Sequence, residues 1–591
     1  MPNSISRRGF LAAGTAPLVL TGAPSRPRPN ILWISCEDTG PEIGCYGDRN
    51  SITPNIDRIA SEGVRYSHAY SVAGVCAPSR SAIITGMYPS TLGSQYMRCR
   101  APLPDFVRCF PEYLRDAGYY CTNSVKTDYN FEPPKSAWDE LHRTAHWKNR
   151  PKDKPFFSVF NLEITHESRV RMRGAEHEKN VARLKASERR DPKSITLPPY
   201  YPDGEPAHRD WANYLELITA MDYQAGDRLR EIEQAGLLED TMVFFWGDHG
   251  VGLPRGKRWL YESGTHVPLV IRIPKKFRTA SQGAPASVDS QLLSFVDLAP
   301  TVLNLAGAEI PKHMQGRAFL GPKLTPERKY IYGIRDRMDE RNDCVRMVRG
   351  QRYRYLRNYV PHKPYAQEIS YMNVGPTQQE LRRLKAEGKL PDAARLYMSD
   401  TKPPEELYDV ERDPHELRNL TDSREHRGVL VEMRMAQERW ALRTRDLGLI
   451  PEAIVDARGK EYGSRYAILH KPGSEEYIRR LRSVADDVNH KRPVTYTREE
   501  PDPAIRYWTA LGAADPALAL QDSEAVVRIV AAERLKNIDA LAREMKSTNE
   551  WVRHQAALAL DELGSGAEIL KPYVGDPSDY VQRVARHACG M

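Results

Sequence analysis

Four short runs of apolar, β-branched and aromatic residues punctuate the chain: residues 30–35 (NILWIS), 156–162 (FFSVFNL), 241–246 (TMVFFW) and 267–273 (VPLVIRI). Apolar runs of this length, bounded by polar turns, predict strands covered on both faces. Helical apolar spacing lies between them, at residues 54–62, 110–117 and 211–235. Thr53 is placed to cap the first of these helices and Pro54 to fill its first turn. Strands alternating with helices predict an α/β fold, a mixed but largely parallel sheet flanked by helices. In such sheets ligands sit beyond the carboxyl ends of the strands.

The pattern changes near residue 326. Residues 329–335 and 345–359 alternate apolar with basic positions, which predicts antiparallel strands with one face in water. A charged helical stretch follows, then Leu407-Tyr408-Asp409 and Asp413-Pro414. This predicts a smaller α+β unit over residues 326–450, behind a larger one over residues 29–325. Residues 451–504 are polar and irregular and read as a linker or wrapping segment. The last stretch, residues 505–591, repeats weakly. Ser523-Glu524-Ala525-Val526-Val527-Arg528 is echoed by Asn549-Glu550-Trp551-Val552-Arg553 and by Ser578-Asp579-Tyr580-Val581-Gln582-Arg583. Echoes about 25–30 residues apart, with Ala-rich helices, predict HEAT-like helical pairs. Two uses are open for them: a surface for a protein partner, or a helical cap over the larger unit.

At 591 residues the chain is too long for one core, in keeping with this division. The net charge of +8 falls to +4 once Arg7, Arg8, Arg26 and Arg28 are set aside, a weak pointer to an anionic substrate. No basic cluster marks a nucleic-acid face. The eight cysteines, at 36, 45, 76, 99, 109, 121, 344 and 589, form no CxxC pair and no dense framework. Neither structural zinc nor a disulfide scaffold is therefore signalled, although one or two disulfides stay open. No run of 18 apolar residues predicts a membrane span. Arg7-Arg8 before the uncharged stretch of residues 12–23 resembles a twin-arginine (Tat) export signal over residues 1–28, which predicts a periplasmic or extracellular destination.

Chemistry gathers at the strand ends. The first run leads into Cys36-Glu37-Asp38, the second into Thr165-His166-Glu167 and the third into Gly247-Asp248-His249-Gly250. Cys76 follows a small-residue loop (residues 71–75) and stands at the start of a helix, where free N–H groups favour an anion. Arg80 lies one turn later on the same face.

Cys76-Ala77-Pro78-Ser79-Arg80, continuing into Ser81-Ala82-Ile83-Ile84-Thr85-Gly86, is similar to the signature of the formylglycine-dependent sulfatases of the alkaline phosphatase superfamily. The resemblance extends through Gly44-Cys45-Tyr46-Gly47, Thr53-Pro54-Asn55-Ile56-Asp57, Leu260-Tyr261-Glu262 and Asn419-Leu420, covering about residues 29–420. It is nearest to bacterial relatives of heparan N-sulfatases and iduronate sulfatases. The resemblance implies that Cys76 is oxidised by a formylglycine-generating enzyme to an aldehyde whose hydrate is the nucleophile. It also implies one divalent cation, Ca2+ or else Mg2+, on Glu37, Asp38, Asp248 and His249; Glu37 stands where the family has Asp. Hard cations take such carboxylate oxygens. By the same resemblance Lys126 lies beside the nucleophile, Lys257 on the sulfate, and His166 protonates the leaving group. Where the family has Lys-x-His, this chain has Lys126-Thr127-Asp128, so Asp128 replaces the histidine that helps expel sulfate. Arg98 and Arg100 are placed for a carboxylate or second sulfate of the substrate. The implied function is hydrolysis of a sulfuric ester or sulfamate of a sulfated carbohydrate. Two alternatives are a phosphonate or phosphate ester hydrolase of the same superfamily and a non-catalytic binding protein with a degenerate site.

Overall fold

A computed structural model describes residues 28–279 and 282–591; the export-signal reading falls mainly on residues 1–27, outside them. Among the described residues β1 (Asn30–Cys36), β2 (Val64–Tyr66), β4 (Tyr120–Ser124), β5 (Glu140–Leu141), β6 (Phe156–Leu162), β7 (Thr241–Gly247), β8 (Leu269–Arg272) and β9 (Ser287–Asp289) form one sheet in the order β5-β4-β6-β1-β7-β8-β2-β9. The five strands from β5 to β7 are mutually parallel, and β8 runs against both β7 and β2. A short pair, β3 (Ala69–Tyr70) with β10 (Leu293–Ser294), lies apart.

Both faces of this sheet are covered, which is why its strands read as unbroken apolar runs. Ile31 and Trp33 of β1 share one core with Phe157, Val159 and Phe244 and with Ile83 and Ile84 of helix α2 (Cys76–Thr85). Leu32 and Ile34 face the other way, into a core with Phe160, Val243 and Phe245 under the long helix α3 (Glu205–Gln234). The helix expected at 211–235 starts earlier because Gly204 caps it and a proline occupies its first turn. Helix α1 (Pro54–Glu62) has the expected bounds but not the expected cap. The Thr53 hydroxyl accepts from Gly44 N–H (2.9 Å) and donates to Asp57 (3.0 Å). Asp222 of α3 receives the free N–H groups of Asn55 (3.2 Å) and Ile56 (2.8 Å) instead.

The second sheet is antiparallel, β11 (Ile331–Arg335), β12 (Val345–Arg349), β13 (Tyr353–Asn358) and β14 (Glu405–Asp409) in that order. Its expected wet face is absent. Arg335, Arg346, Arg349, Arg354 and Arg357 are all buried. They meet carboxylates from distant segments: Arg346 pairs with Asp336 (3.0 Å) and Asp446 (2.7 Å), and Arg349 and Arg354 with Glu262 (2.7 and 2.6 Å). Basic alternation here marks an ion-paired seam.

Residues 451–504 are not irregular either; they hold helices Glu452–Glu461 and Ser474–Asn489. The three sequence echoes open helices Ala525–Arg534, α4 (Glu550–Glu562) and α5 (Asp579–Ala588). All eight cysteines are free thiols. No helix of the described residues is long and apolar enough to cross a membrane.

Candidate active site

The parallel strands β1, β6 and β7 end side by side, with Cys36 opposite both Leu162 and Gly247. The residues that follow them therefore converge. Glu37 and Asp38 come from β1, Thr165 to Glu167 from β6, and Asp248 and His249 from β7. Asp248 is tied back to β1 by its N–H on the Cys36 carbonyl (3.0 Å). Asp38 has left-handed backbone (φ 51°), which folds its carboxylate into this space. Its Oδ2 accepts from Glu167 N–H (2.6 Å), and the Thr165 hydroxyl donates to the Glu37 carbonyl (2.6 Å).

Helix α2 brings Cys76 to the same point. Its Sγ is 3.2 Å from His249 Nε2, while His249 Nδ1 is 3.0 Å from the Gly250 carbonyl. That pairing implies a proton on Nδ1 and leaves Nε2 facing Cys76 and Asp38 Oδ1 (3.1 Å). Arg80, one turn on, bonds Asp248 Oδ2 (3.2 Å) and Asn161 Oδ1 (2.9 Å), with Glu37 3.6 Å away. Ser79 donates to the Asp248 carbonyl (2.7 Å). Glycines allow the close approach: a Cβ on Gly74 would lie 2.3 Å from the Trp259 carbonyl, and one on Gly250 2.1 Å from that of Ser263.

The second group of cations arrives from loops. Lys126 contacts Glu37 and lies 3.4 Å from Asp128. Lys257 bridges Asp38 (2.9 Å) and Glu167 (3.0 Å) and donates to His166 Nε2 (3.2 Å). Cys76, Glu37, Asp38, Asp248, His249, Arg80 and Lys257 are buried, whereas Lys126, Asp128 and His166 keep partial exposure. These three form the mouth of the site.

Burial and neighbours set the charge states. Burial pushes the Glu37 carboxyl up to about 7 despite Lys126. Burial opposes ionisation of Asp38 too, but Lys257 and His249 win and hold it well below the usual range. Burial and the Lys257 charge bring His166 down to about 4, so its imidazole is neutral at pH 7. Burial disfavours the His249 cation, yet Asp248, Cys76 and Asp38 hold its pKa well above normal. At the mouth Lys126, Arg80 and Arg98 outweigh burial and keep Asp128 an anion.

Three buried carboxylates beside a histidine form a donor set for a hard divalent cation. Asp38, Cys76 and His249 present their ligand atoms within 4.8 Å of one another, as do Glu37, Cys76 and Asp248. The crowding of unlike demands on Glu37, ionised for Lys126 and neutral for its burial, is what a dication relieves. The residues present therefore fit one.

All five residues expected to be catalytic and all four expected to hold metal are brought together here. Arg98 is exposed and lies within electrostatic reach of Asp128. Arg100 is also exposed, and no ion pair among the described residues draws it to the site. The sequence reading placed Glu167 at a strand end without giving it a role, and missed Arg258, Asn161 and Asp339. Glu167 receives two bonds from Arg258 (3.1 and 2.9 Å), and Arg258 donates to Asp339 (3.2 Å). A signal existed: Glu167 and Arg258 directly follow His166 and Lys257, and Asn161 is a polar residue inside an apolar strand.

Residues 29–136 and 120–308 match the sulfatase family model. An ulvan-active sulfatase of Formosa agariphila is 42% identical over 467 residues, spanning 72% of this chain and 77% of that protein. Human N-sulphoglucosamine sulphohydrolase is 26% identical over 477 residues, spanning 73% of this chain and 93% of that protein. Among solved structures, BT4656 in complex with its substrate D-glucosamine-2-N,6-O-disulfate superposes with a TM-score of 0.52 at 21% identity, covering 71% of this chain and 98% of that one.

Proposed function

Since the chain belongs to the sulfatase family, we propose that it hydrolyses a sulfate ester or sulfamate of a sulfated carbohydrate, with position 76 as the nucleophile. The observation that carries this reading is the placement of Cys76 at a helix start, against His249, with Arg80, Lys126 and Lys257 around it. The family relationship supports oxidation of Cys76 to formylglycine by a formylglycine-generating enzyme, and the donor set supports Ca2+ on Glu37, Asp38, Asp248 and His249. When bound, the ion supplies positive charge for the sulfate oxygens and favours ionisation of the hydroxyl that attacks. Named relatives act on ulvan and on N-sulphoglucosamine, so a sulfated polysaccharide is the substrate class this reading favours.

The chain's own groups divide the remaining work. Lys126 and Lys257 take the anionic oxygens of the sulfate. Arg80 holds Asp248 and Asn161 in place by charge-assisted bonds. His166 carries the proton for the departing oxygen or nitrogen. Its pKa of about 4 is set by burial and by Lys257 as its unscreened neighbour. A sulfate anion between them offsets the Lys257 charge and raises the imidazole from that value. Asp128, held ionised, accepts the proton whose removal expels sulfate, a step that needs only an acceptor.

The same reading divides the chain into an export signal over residues 1–28, a catalytic unit over 29–325, a smaller unit over 326–450 and helices thereafter. Arg7-Arg8 ahead of an uncharged stretch supports export to the periplasm or beyond. Mass spectrometry of the peptide containing residue 76, from cells with a maturation enzyme, tests the nucleophile: formylglycine weighs about 18 Da less than cysteine. An entirely unmodified peptide in an active enzyme overturns it. Turnover of aryl phosphonate in preference to aryl sulfate would overturn the substrate class.

A further inference from the structure

The turn joining β11 to β12 is gripped from two sides. Met338 and Arg341 exchange backbone hydrogen bonds (2.9 and 3.0 Å), leaving Glu340 and Asp339, with left-handed backbone at φ 49°, at the tip. On the inner side Met338 packs with Val75 and Ala77, the neighbours of Cys76. Asp339 accepts from Arg258 (3.2 Å), Arg258 holds Glu167 through two bonds (3.1 and 2.9 Å), and Glu167 lies 3.0 Å from Lys257 Nζ. An unbroken relay of buried charges thus runs from this turn to Lys257.

The outer side belongs to the C-terminal helices. The Arg337 guanidinium lies over the rings of Trp551 (4.7 Å) and Tyr580 (4.2 Å), which occupy equivalent places in two successive repeats. It also donates to the Asp339 carbonyl (2.7 Å). His554 Nε2 is 2.9 Å from the Glu340 carbonyl, Arg341 pairs with Asp561 (2.7 Å), and the Tyr580 hydroxyl donates to the Met97 carbonyl (2.9 Å). Arg528 and Arg553, at matching places in the first two repeats, bond the carbonyls of their own preceding loops, at Asp522 (2.8 Å) and Ser547 (2.9 Å). In the third repeat that place is Gln582, and the arginine is displaced by one residue. Arg583 Nη1 reaches outward to Asp339 (3.8 Å) and Glu340 (3.7 Å).

We propose that α4 and α5 are a positioning element of the active site: they fix the 337–341 turn and, through Asp339, Arg258 and Glu167, the place of Lys257. Asp339 and Arg583 are then positioning residues, an inference that rests on the sulfatase reading of Lys257. Lysine is a flexible stem with a compact charge, so its place must come from its neighbours. A displacement near ~1 Å in such a group costs up to about 100-fold in rate.

The test uses the full-length matured enzyme with a small aryl sulfate. Asp339→Asn is expected to lower kcat about 10- to 100-fold, and Arg583→Ala about 3- to 10-fold, with Arg583→Lys restoring most of the loss. The Tm of Arg583→Ala is expected to stay within about 2 °C of wild type, since it removes a partly exposed pair. Because Arg583 acts through Asp339, the double variant should be no slower than Asp339→Asn alone. Unchanged kcat in both single variants, or losses that simply add, would overturn the relay. Calorimetric titration with inorganic sulfate separates the two readings. Weaker sulfate binding by Asp339→Asn supports the relay even if no sulfated compound is turned over, and equal binding counts against it; a wild type without turnover removes the sulfatase reading alone.

Discussion

Around Cys76 the carboxylates of Glu37, Asp38, Glu167 and Asp248 face the cations of Arg80, Lys126, Lys257 and Arg258, so each residue's role depends on which partner neutralises it. Lys257→Met leaves Asp38 without its lysine and removes a cation from the sulfate. We expect kcat to fall about 10²- to 10³-fold, as for loss of one preorganised charge, and unfolding by urea to show a loss of about 3 kcal/mol or more, the cost of an orphaned buried charge. Asp128→Asn tests the release step. Rapid-mixing assays should then give a burst of alcohol product equal to the enzyme, followed by turnover slowed by about 10² or more; a uniformly slow reaction without a burst would assign Asp128 elsewhere. The residues that could be read from sequence were those whose neighbours along the chain are unusual, such as Cys76 before Pro78 and Arg80, or Asp248-His249 after an apolar strand. Arg258, and the role of Glu167, escaped because a Glu or an Arg in a loop is ordinarily solvated, and only the fold places them against each other.

At the level of elements, local pattern fixed strands and helices well where the reason for them is local. α1 begins and ends where its apolar spacing and Pro54 put it, yet its cap comes from Asp222, far away on α3. Asp222→Ala should therefore cost about 1–2 kcal/mol by urea denaturation, whereas Thr53→Val should not cost α1 its cap. Gly74 sets how closely the loop before α2 approaches residue 259, with its carbonyl 2.5 Å from the Arg258 N–H. Gly74→Ala puts a methyl carbon into the Trp259 carbonyl, and a loss of about 3 kcal/mol or more in thermal unfolding is expected. The second sheet was misread because alternation of apolar with basic residues says that one face is polar, not that it is wet. Its arginines find their acids on other segments, at Glu262 and Asp446, which no window along β12 or β13 contains.

The whole molecule is held across that seam by buried ion pairs, and one of them carries a pH signature. Burial pushes Asp336 up to about 7, against the pull of Arg346, which it shares with Asp446. An acid whose pKa is higher folded than unfolded binds its proton more tightly in the native state. Its contribution is complete below about 4 and is lost as pH rises through about 7. The Tm of Asp336→Asn, measured against wild type, should therefore rise between pH 5 and pH 8; a constant difference would show that Asp336 is ionised throughout. The three echoes at the C-terminus each open a helix, but the grip of these helices on the 337–341 turn was not legible, since it joins positions more than 200 residues apart. The pairing of β1 with β7 spans a similar separation, 211 residues from Cys36 to Gly247, and sets a clock. The pocket around Cys76, which leaves that residue 3% exposed, cannot close before residue 247 has been made. At about 5–20 residues per second, the 171 residues between Cys76 and Gly247 take roughly 10–30 s to synthesise. For that interval the thiol is open to an oxidising enzyme, and afterwards the fold shields it.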